Sequence, residues 1–231
     1  ISDEPNSPLV REHLKQELAG VVGERFEDAE VFYTHYFEGL TVLDIGMVGH
    51  AIENSFKADW RHDNIRKIAS RTVGIDIAEK AVLELQRKGY DVRLVDATGE
   101  VDIGERFERV VLGDVIEHVD NPVALLRFAA RQLAGNGQIV CTTPNPVFYE
   151  NIVSVLRNGM LIANAEHVSW ITPSNAMELA SRAGLSLKRV HHYTGAGNSM
   201  FRRAGVSLLK ALGLIKYEFF ARSYVYVFEK P

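Results

Sequence analysis

The chain has 231 residues and a mass of 25.8 kDa, with 46% hydrophobic and 24% charged residues, the composition of a globular domain long enough for a full core. Its 26 Lys and Arg against 30 Asp and Glu leave a net charge of −4, which argues against a protein that lives on nucleic-acid backbones, and the single Cys141 excludes an internal disulfide or a thiolate metal cluster. No run approaches the ~18 apolar residues of a membrane span, and the polar opening ISDEPNSPLV lacks a signal-peptide layout, so the cytoplasm is the expected compartment; a first residue Ile1 rather than Met leaves open a start inside a longer gene product.

Charge is unevenly spread. Residues 1–178 carry 17 basic and 28 acidic groups, whereas 179–217 carry seven basic groups and no acidic one. Ser7-Pro8 reads as a cap and first residue of a helix over 8–21, with Leu9, Val10, Leu14 and Leu18 at helical spacing, and residues 1–37 are expected to form a helical cap. From residue 40 short β-branched runs alternate with amphipathic ones. Strands are predicted at LTVLDIG (40–46), RTVGID (71–76), DVRLVD (91–96), FERVVLGD (107–114) and GQIVCTTP (137–144), with helices at 62–70, 78–89 and 121–133, the last two closed by Gly89 and Gly135. This rhythm predicts parallel strands joined by right-handed crossovers, a doubly wound α/β sheet. After Pro144 it breaks: an irregular flap is expected over 145–170 with a short helix near 150–157. A helix from Pro173 to Ala183 capped by Thr172, a strand at 185–193, a basic helical insertion over 194–217 and a final antiparallel strand in FFARSYVYVFEK (219–230) complete the expected domain, 38–231.

Ligands of an open parallel sheet sit beyond the carboxyl ends of its strands, near the point where strand order reverses. The first predicted strand ends in Asp44-Ile45-Gly46-Met47-Val48-Gly49-His50, where glycines let the backbone approach a ligand. The second ends in Asp76 followed by Ile77, a position from which a carboxylate can accept both hydroxyls of a ribose; the third ends in Asp96-Ala97 and the fourth in Gly113-Asp114. Taken singly, each could be a turn glycine or a helix cap. Jointly they deliver a carboxylate from four consecutive strand ends to one rim.

Taken in order, TVLDIGMVGH, VGIDIAEKAV, VDATGE, FERVVLGDVIEHVDNP, LAGNGQIVCTTPNP and EHVSWITPSNAMELASRAGL resemble the class I S-adenosylmethionine-dependent methyltransferases over about residues 38–193. The resemblance implies a Rossmann-like, seven-stranded, mostly parallel sheet with helices on both faces and an antiparallel last strand. It further implies that Asp44 and Gly46 line the methionine end of the cofactor, Asp76 holds the ribose hydroxyls, Asp96 with Ala97 meets the adenine edge and Gly113 faces the methionine moiety through its backbone, with Met47, Gly49, His50, Ile77 and Asp114 as further cofactor-binding positions. One departure is visible: where the family places two further glycines, this chain has Val48 and His50 around Gly49. A nicotinamide cofactor is disfavoured, because the first turn lacks GxGxxG.

The cofactor would supply an electrophilic methyl group, and the protein a positioned nucleophile and a way to remove its proton. Asp114, Glu117 and His118 are spaced i, i+3, i+4, so one turn of helix would place them on one face able to bind a divalent metal. Relatives with E-x-x-E-H at this place, among them ubiquinone-pathway O-methyltransferases and small-RNA 2'-O-methyltransferases, use these side chains as ligands; the RNA enzymes add a later histidine, which His167 resembles. That set would hold magnesium or manganese. Without metal, Glu117 and His118 simply cap the turn, and His118 or His167 serves as general base. His50, Trp60 and His62 are further candidates near the pocket.

Substrate choice is assigned to 1–37, the flap and 194–217, with Tyr33, Tyr36, Phe148, Tyr149, Met160 and Trp170 offered for an apolar or sugar-stacking pocket, about half of them expected to be plain core. The run SMFRRAGVSLLKALGLIK reads foremost as a packed helix with a solvated basic face; peripheral membrane contact, an anionic substrate and a dimer contact are the other readings. The expected function is methyl transfer to a hydroxyl of a sugar or other small metabolite. RNA 2'-O-methylation with metal assistance and a non-catalytic cofactor-binding protein are the alternatives, and oligomeric state is left open.

Overall fold

The computed structural model describes residues 4, 6–49, 57, 59–194 and 217–231, so His50 and the run 195–216 lie outside the described residues. The first helix, α1 (Pro8–Gly20), begins at its expected cap: Ser7 Oγ accepts the Val10 N–H at 3.3 Å, and Pro8 occupies a first-turn position whose N–H would have no helical partner. Then follow β1 (Val22–Phe26), α2 (Ala29–Phe37), β2 (Thr41–Ile45), α3 (Arg61–Ile68), β3 (Arg71–Asp76), α4 (Glu79–Arg87), β4 (Val92–Leu94) and β5 (Phe107–Gly113). The chain continues through α5 (Pro122–Arg131), β6 (Leu133–Pro144), α6 (Tyr149–Asn158), α7 (Pro173–Ala183), β7 (Ser186–Tyr193), a 3₁₀ turn over 217–220 and β8 (Ser223–Glu229).

The strands form one sheet in the order β1-β7-β8-β6-β5-β2-β3-β4, with β8 antiparallel to both neighbours and every other pairing parallel. This is the doubly wound, mostly parallel α/β architecture that the rhythm of the sequence predicts. Its central strands are buried on both faces, which is why they read as continuous β-branched runs. On one face α2, α3 and α4 cover Val42, Val92, Val111 and Val140; on the other α5 and α7 cover Leu43, Ile75, Leu112 and Ile139.

Four expectations are corrected. The sheet has eight strands rather than seven, and residues 1–37 are not a purely helical cap, because Val22–Phe26 adds a parallel edge strand with Val22 opposite Val190 and Phe26 opposite Tyr193. Only Phe26 of that strand is buried, so the segment carries almost no strand-like alternation. Gly135 does not close α5: the helix ends at Gln132 in a right-handed conformation, and Gly135 lies inside β6, which starts at Leu133. The late aromatic run opens with the 3₁₀ turn, so β8 is shorter than 219–230. Among the described residues no helix is long and apolar enough to cross a membrane.

From β2 the chain steps outward through β3 and β4, then returns to place β5 on the other side of β2. Strand order reverses there, and a crevice opens above the carboxyl ends of β2 and β5.

Candidate active site

The floor of the crevice is a buried charge cluster. Asp44, on β2, is fully buried and does not line the methionine end as expected. Arg61, in the first turn of α3, donates from Nε to its Oδ1 at 3.1 Å, and His62 Nδ1 lies 3.0 Å from Oδ2. Burial pushes the Asp44 carboxyl up, yet the Arg61 charge and the His62 hydrogen bond outweigh this and hold it below the usual carboxylate range. The same guanidinium donates to the carbonyls of Gly113 at 2.6 Å and Gly46 at 2.9 Å, so one side chain ties the ends of β2 and β5 together. Any side chain at Gly113 would overlap that guanidinium. Gly46 is also constrained twice: its φ is +67°, and a Cβ there would overlap Val115.

Above this floor lie two adjoining cavities of about 790 and 330 Å³ that share Gly46, Asp76, Ile77, Val115 and His118. The larger also reaches Met47, Gly49, Gly113, Asp114, Glu117 and His167, and the smaller Asp96 and Ala97. Apart from Asp44, and His50, which is outside the described residues, every position expected at the cofactor therefore borders one continuous cleft. Asp76 anchors the glycine turn, its two oxygens accepting the N–H groups of Val48 at 3.0 Å and Ala78 at 2.9 Å. Asp96 Oδ1 accepts both the hydroxyl and the N–H of Thr98, which hold its carboxyl below the usual range and turn it toward the cleft wall. Between them Ile77 is 72% exposed, a large apolar side chain left open to the cleft.

Asp114 follows β5 with φ +52°, the only non-glycine residue with positive φ among those described. Its N–H donates to the Thr142 carbonyl at 3.1 Å, and Thr142 Oγ1 donates to its Oδ1 at 3.0 Å. The next residues make a single turn, His118 N–H to Val115 carbonyl, rather than a helix. Consequently Asp114 is not in the cluster expected of it: the donor atoms of Glu117, His118 and His167 lie within 4.8 Å of one another, and those of Asp114 do not join them. The flap completes this cluster, because Val168 and Ser169 donate their N–H groups to the Glu117 carbonyl at 2.9 and 3.3 Å and so bring the His167 ring to 4.7 Å from that of His118. Glu117 is 1% exposed; Oε2 accepts from Thr143 Oγ1 at 3.1 Å and Oε1 is buried without a hydrogen-bond partner. Burial, and then the nearby Asp114 charge, push its carboxyl up to about 8, so it carries a proton at neutral pH.

Of the six residues offered for the acceptor pocket, Tyr36 and Phe148 are core, and none borders the main cleft; the Trp170 ring lies 5.8 Å from that of His167, which does. Trp60 serves the cofactor loop, donating from Nε1 to the Met47 carbonyl at 2.6 Å. Arg61 as keystone was not foreseen, nor were Lys57, Asp59 and Glu166 on the cleft wall. Lys57, Asp59 and Arg61 stand in no motif, since an Arg-His pair opening a helix reads as a solvated polar face, whereas Glu166 opens the EHVSW run beside His167 and could have been found there.

The fold and this cleft define a class of protein, a Rossmann-like enzyme domain with a nucleoside-sized site at its switch point. The comparisons give the family. A family model described as a methyltransferase domain matches residues 11–190, and the chain belongs to that family, within the class I S-adenosylmethionine-dependent methyltransferases. It is similar to proteins named ubiquinone biosynthesis O-methyltransferase from Ruegeria sp. (27% identical over 161 residues, 65% of this chain and 62% of that protein) and Cereibacter sphaeroides (29% over 167 residues, 64% and 61%). The chain thus spans about three fifths of the length of these curated relatives. Among solved structures the fold is shared with a magnesium protoporphyrin IX methyltransferase from Synechocystis PCC 6803 with bound S-adenosylhomocysteine (13% identical, TM-score 0.55, 100% of this chain and 90% of that one). It is shared too with a methyltransferase from Mesorhizobium loti (15%, TM-score 0.54, 87% and 96%).

Proposed function

We propose that the protein transfers a methyl group from S-adenosylmethionine to a hydroxyl of a sugar or other small metabolite. The observation that carries the cofactor assignment is the paired cleft, whose size suits a nucleoside joined to an amino acid and whose exposed Ile77 offers an apolar face for a base. The Asp76 oxygens keep lone pairs for ribose hydroxyls beyond the two N–H groups they accept, and Asp96 Oδ2 is available to an exocyclic amine. When bound, the cofactor supplies a methyl group made electrophilic by a sulfonium. Replacing Asp76 by alanine is expected to weaken S-adenosylhomocysteine binding about 10- to 100-fold, from the loss of charge-assisted hydrogen bonds. Calorimetry on a variant whose thermal unfolding is checked in parallel measures this; unchanged affinity would remove Asp76 from the cofactor site.

The name shared by the relatives supports oxygen as the acceptor atom. The acidic cleft supports a small, uncharged acceptor: Asp59, Asp76, Asp114 and Glu166 outnumber Lys57 and Arg61 along it, an unfavourable field for an RNA backbone. His118 or His167 takes the acceptor proton in this reading, since a neutral imidazole is a competent base near physiological pH and both rings face the cleft beside Gly113.

A second reading, a divalent metal, rests on the cluster of Glu117, His118 and His167 and on the buried Glu117 Oε1 that accepts no hydrogen bond. Two imidazoles and one carboxylate suit manganese, iron or zinc better than magnesium, which favours an all-oxygen shell. Those three side chains would hold the ion, which would acidify a bound acceptor hydroxyl. Elemental analysis after manganese loading and desalting separates the readings. With a metal site, one equivalent is retained by the wild type and lost in His167→Ala; with a general base alone, nothing is retained and His167→Ala loses methyl transfer that full chelation leaves intact.

A further inference from the structure

A nucleoside that ends in an amino acid brings a carboxylate and an ammonium into the cleft together. The ammonium meets a favourable wall, since Asp59, Asp76, Asp114 and Glu166 all border the larger cavity. The carboxylate does not. None of the strand-end positions at the cleft carries a positive charge, and His118 and His167 are gathered around Glu117 where the flap meets it. Among the described residues the side chains with a permanent positive charge on that cavity are Lys57 and Arg61, and the smaller cavity has no Lys or Arg at all.

Arg61 is already engaged. Its Nε and Nη2 lie 3.1 and 2.9 Å from Asp44 Oδ1, Nη1 donates to the Gly113 carbonyl at 2.6 Å, and Nη2 donates to the Gly46 carbonyl at 2.9 Å. Asp44 is fully buried, so the guanidinium answers a carboxylate that water does not reach, and turning it toward a ligand would strand that charge.

Lys57 is the opposite case. It is exposed, and no carboxylate or other side chain engages its ammonium among the described residues. Its backbone is nonetheless tied to the glycine turn: the Lys57 carbonyl accepts the Trp60 N–H at 3.1 Å, and the buried Trp60 indole donates to the Met47 carbonyl at 2.6 Å. Those bonds hold Lys57 on the wall of the larger cavity together with Met47, Val48 and Gly49, and off the smaller one, where Asp96 and Ala97 lie.

We infer that Lys57 is the counter-charge for the amino-acid carboxylate of the cofactor, and so the residue by which the cleft tells S-adenosylmethionine and S-adenosylhomocysteine from nucleosides without that group. This rests on the reading of the cleft as an S-adenosylmethionine site. In a cavity bordered by four acidic side chains a lone carboxylate is repelled, and an ammonium on a flexible stem reaches it without breaking any bond of the fold.

The test is calorimetry of the full chain with two probes, S-adenosylhomocysteine and S-adenosyl-3-thiopropylamine, the same molecule without its carboxylate. The wild type is expected to bind the first about 5- to 30-fold more tightly, the range for one charge-assisted contact. Lys57→Gln should weaken S-adenosylhomocysteine by the same factor, leave the thiopropylamine within about twofold, and so erase the preference, while Lys57→Arg keeps most of it. Asp76→Ala, by contrast, should weaken both probes alike, because both carry the ribose. Thermal unfolding of the Lys57 variants, checked in parallel, is expected to stay at the wild-type temperature, since the side chain is exposed. Unchanged S-adenosylhomocysteine affinity in Lys57→Gln, or equal loss of both probes, would overturn the inference while leaving the cofactor assignment standing. A wild type that binds neither probe would overturn that assignment, and this inference with it.

Discussion

Arg61→Met is expected to lower the unfolding free energy by about 3–5 kcal/mol, because it leaves the Asp44 carboxylate buried without its main partner. The loss should exceed what a surface ion pair returns, since Asp44 is entirely shielded from water and Arg61 also closes the ends of β2 and β5 through the Gly113 and Gly46 carbonyls. Adding Asp44→Asn removes the stranded charge and should recover part of the deficit, giving a coupling energy of about 1–3 kcal/mol in a double-mutant cycle by urea unfolding. Additive single effects would show that the guanidinium acts through the carbonyls alone.

In excess chelator, stability is expected to be nearly flat between pH 4.5 and 6.5 and to fall by about 2 kcal/mol from pH 6.5 to 8, through two opposed buried groups. The Glu117 carboxyl is raised to about 8 in the folded chain by burial, so its contribution is complete below its unfolded value, near 4.5, and is lost as pH rises through 8. Burial lowers His191 to about 4, so its contribution is complete above its unfolded value, near 6.5, and is lost as pH falls through 4. Between 4.5 and 6.5 the two slopes cancel. Glu117→Gln should therefore abolish the alkaline decline and uncover the histidine limb, a rise of roughly 3 kcal/mol from pH 4 to 6.5. An alkaline decline that persists in Glu117→Gln would mean that the carboxyl is already ionised at neutral pH.

The parts legible in the sequence are those whose local pattern and tertiary role agree. Thr172-Pro173 announces α7 because the Thr172 hydroxyl caps it and Asn175 completes the capping box, while the buried runs of β2, β3, β5 and β6 announce themselves by β-branching. Asp76, Asp96 and Gly113 could be placed at the cleft from strand order alone, since Asp76 and Gly113 end parallel strands and Asp96 follows one by two residues. What could not be read depends on contacts distant in sequence. Asp44 looks like its fellow strand-end carboxylates until Arg61 and His62 arrive from a helix that follows a stretch without motif. Likewise β1 exists through its pairing with β7, some 167 residues away along the Glu24–His191 link, rather than through its own pattern. Asp114 keeps the i, i+3, i+4 spacing of a helix but sits at positive φ, so the periodicity was sound and the conformation it assumed was not.

The flap is pinned at both ends. Asn145, fully buried, donates its amide to the Glu218 and Ala221 carbonyls at 2.7 and 2.9 Å, while Val168 and Ser169 are fastened to the Glu117 carbonyl. The stretch between these clamps includes α6, which buries none of its residues. Segments of differing length and composition are therefore expected to be exchangeable across α6 without disturbing the sheet beneath the nucleoside half, and a library confined to α6 would test whether this stretch bears on the acceptor.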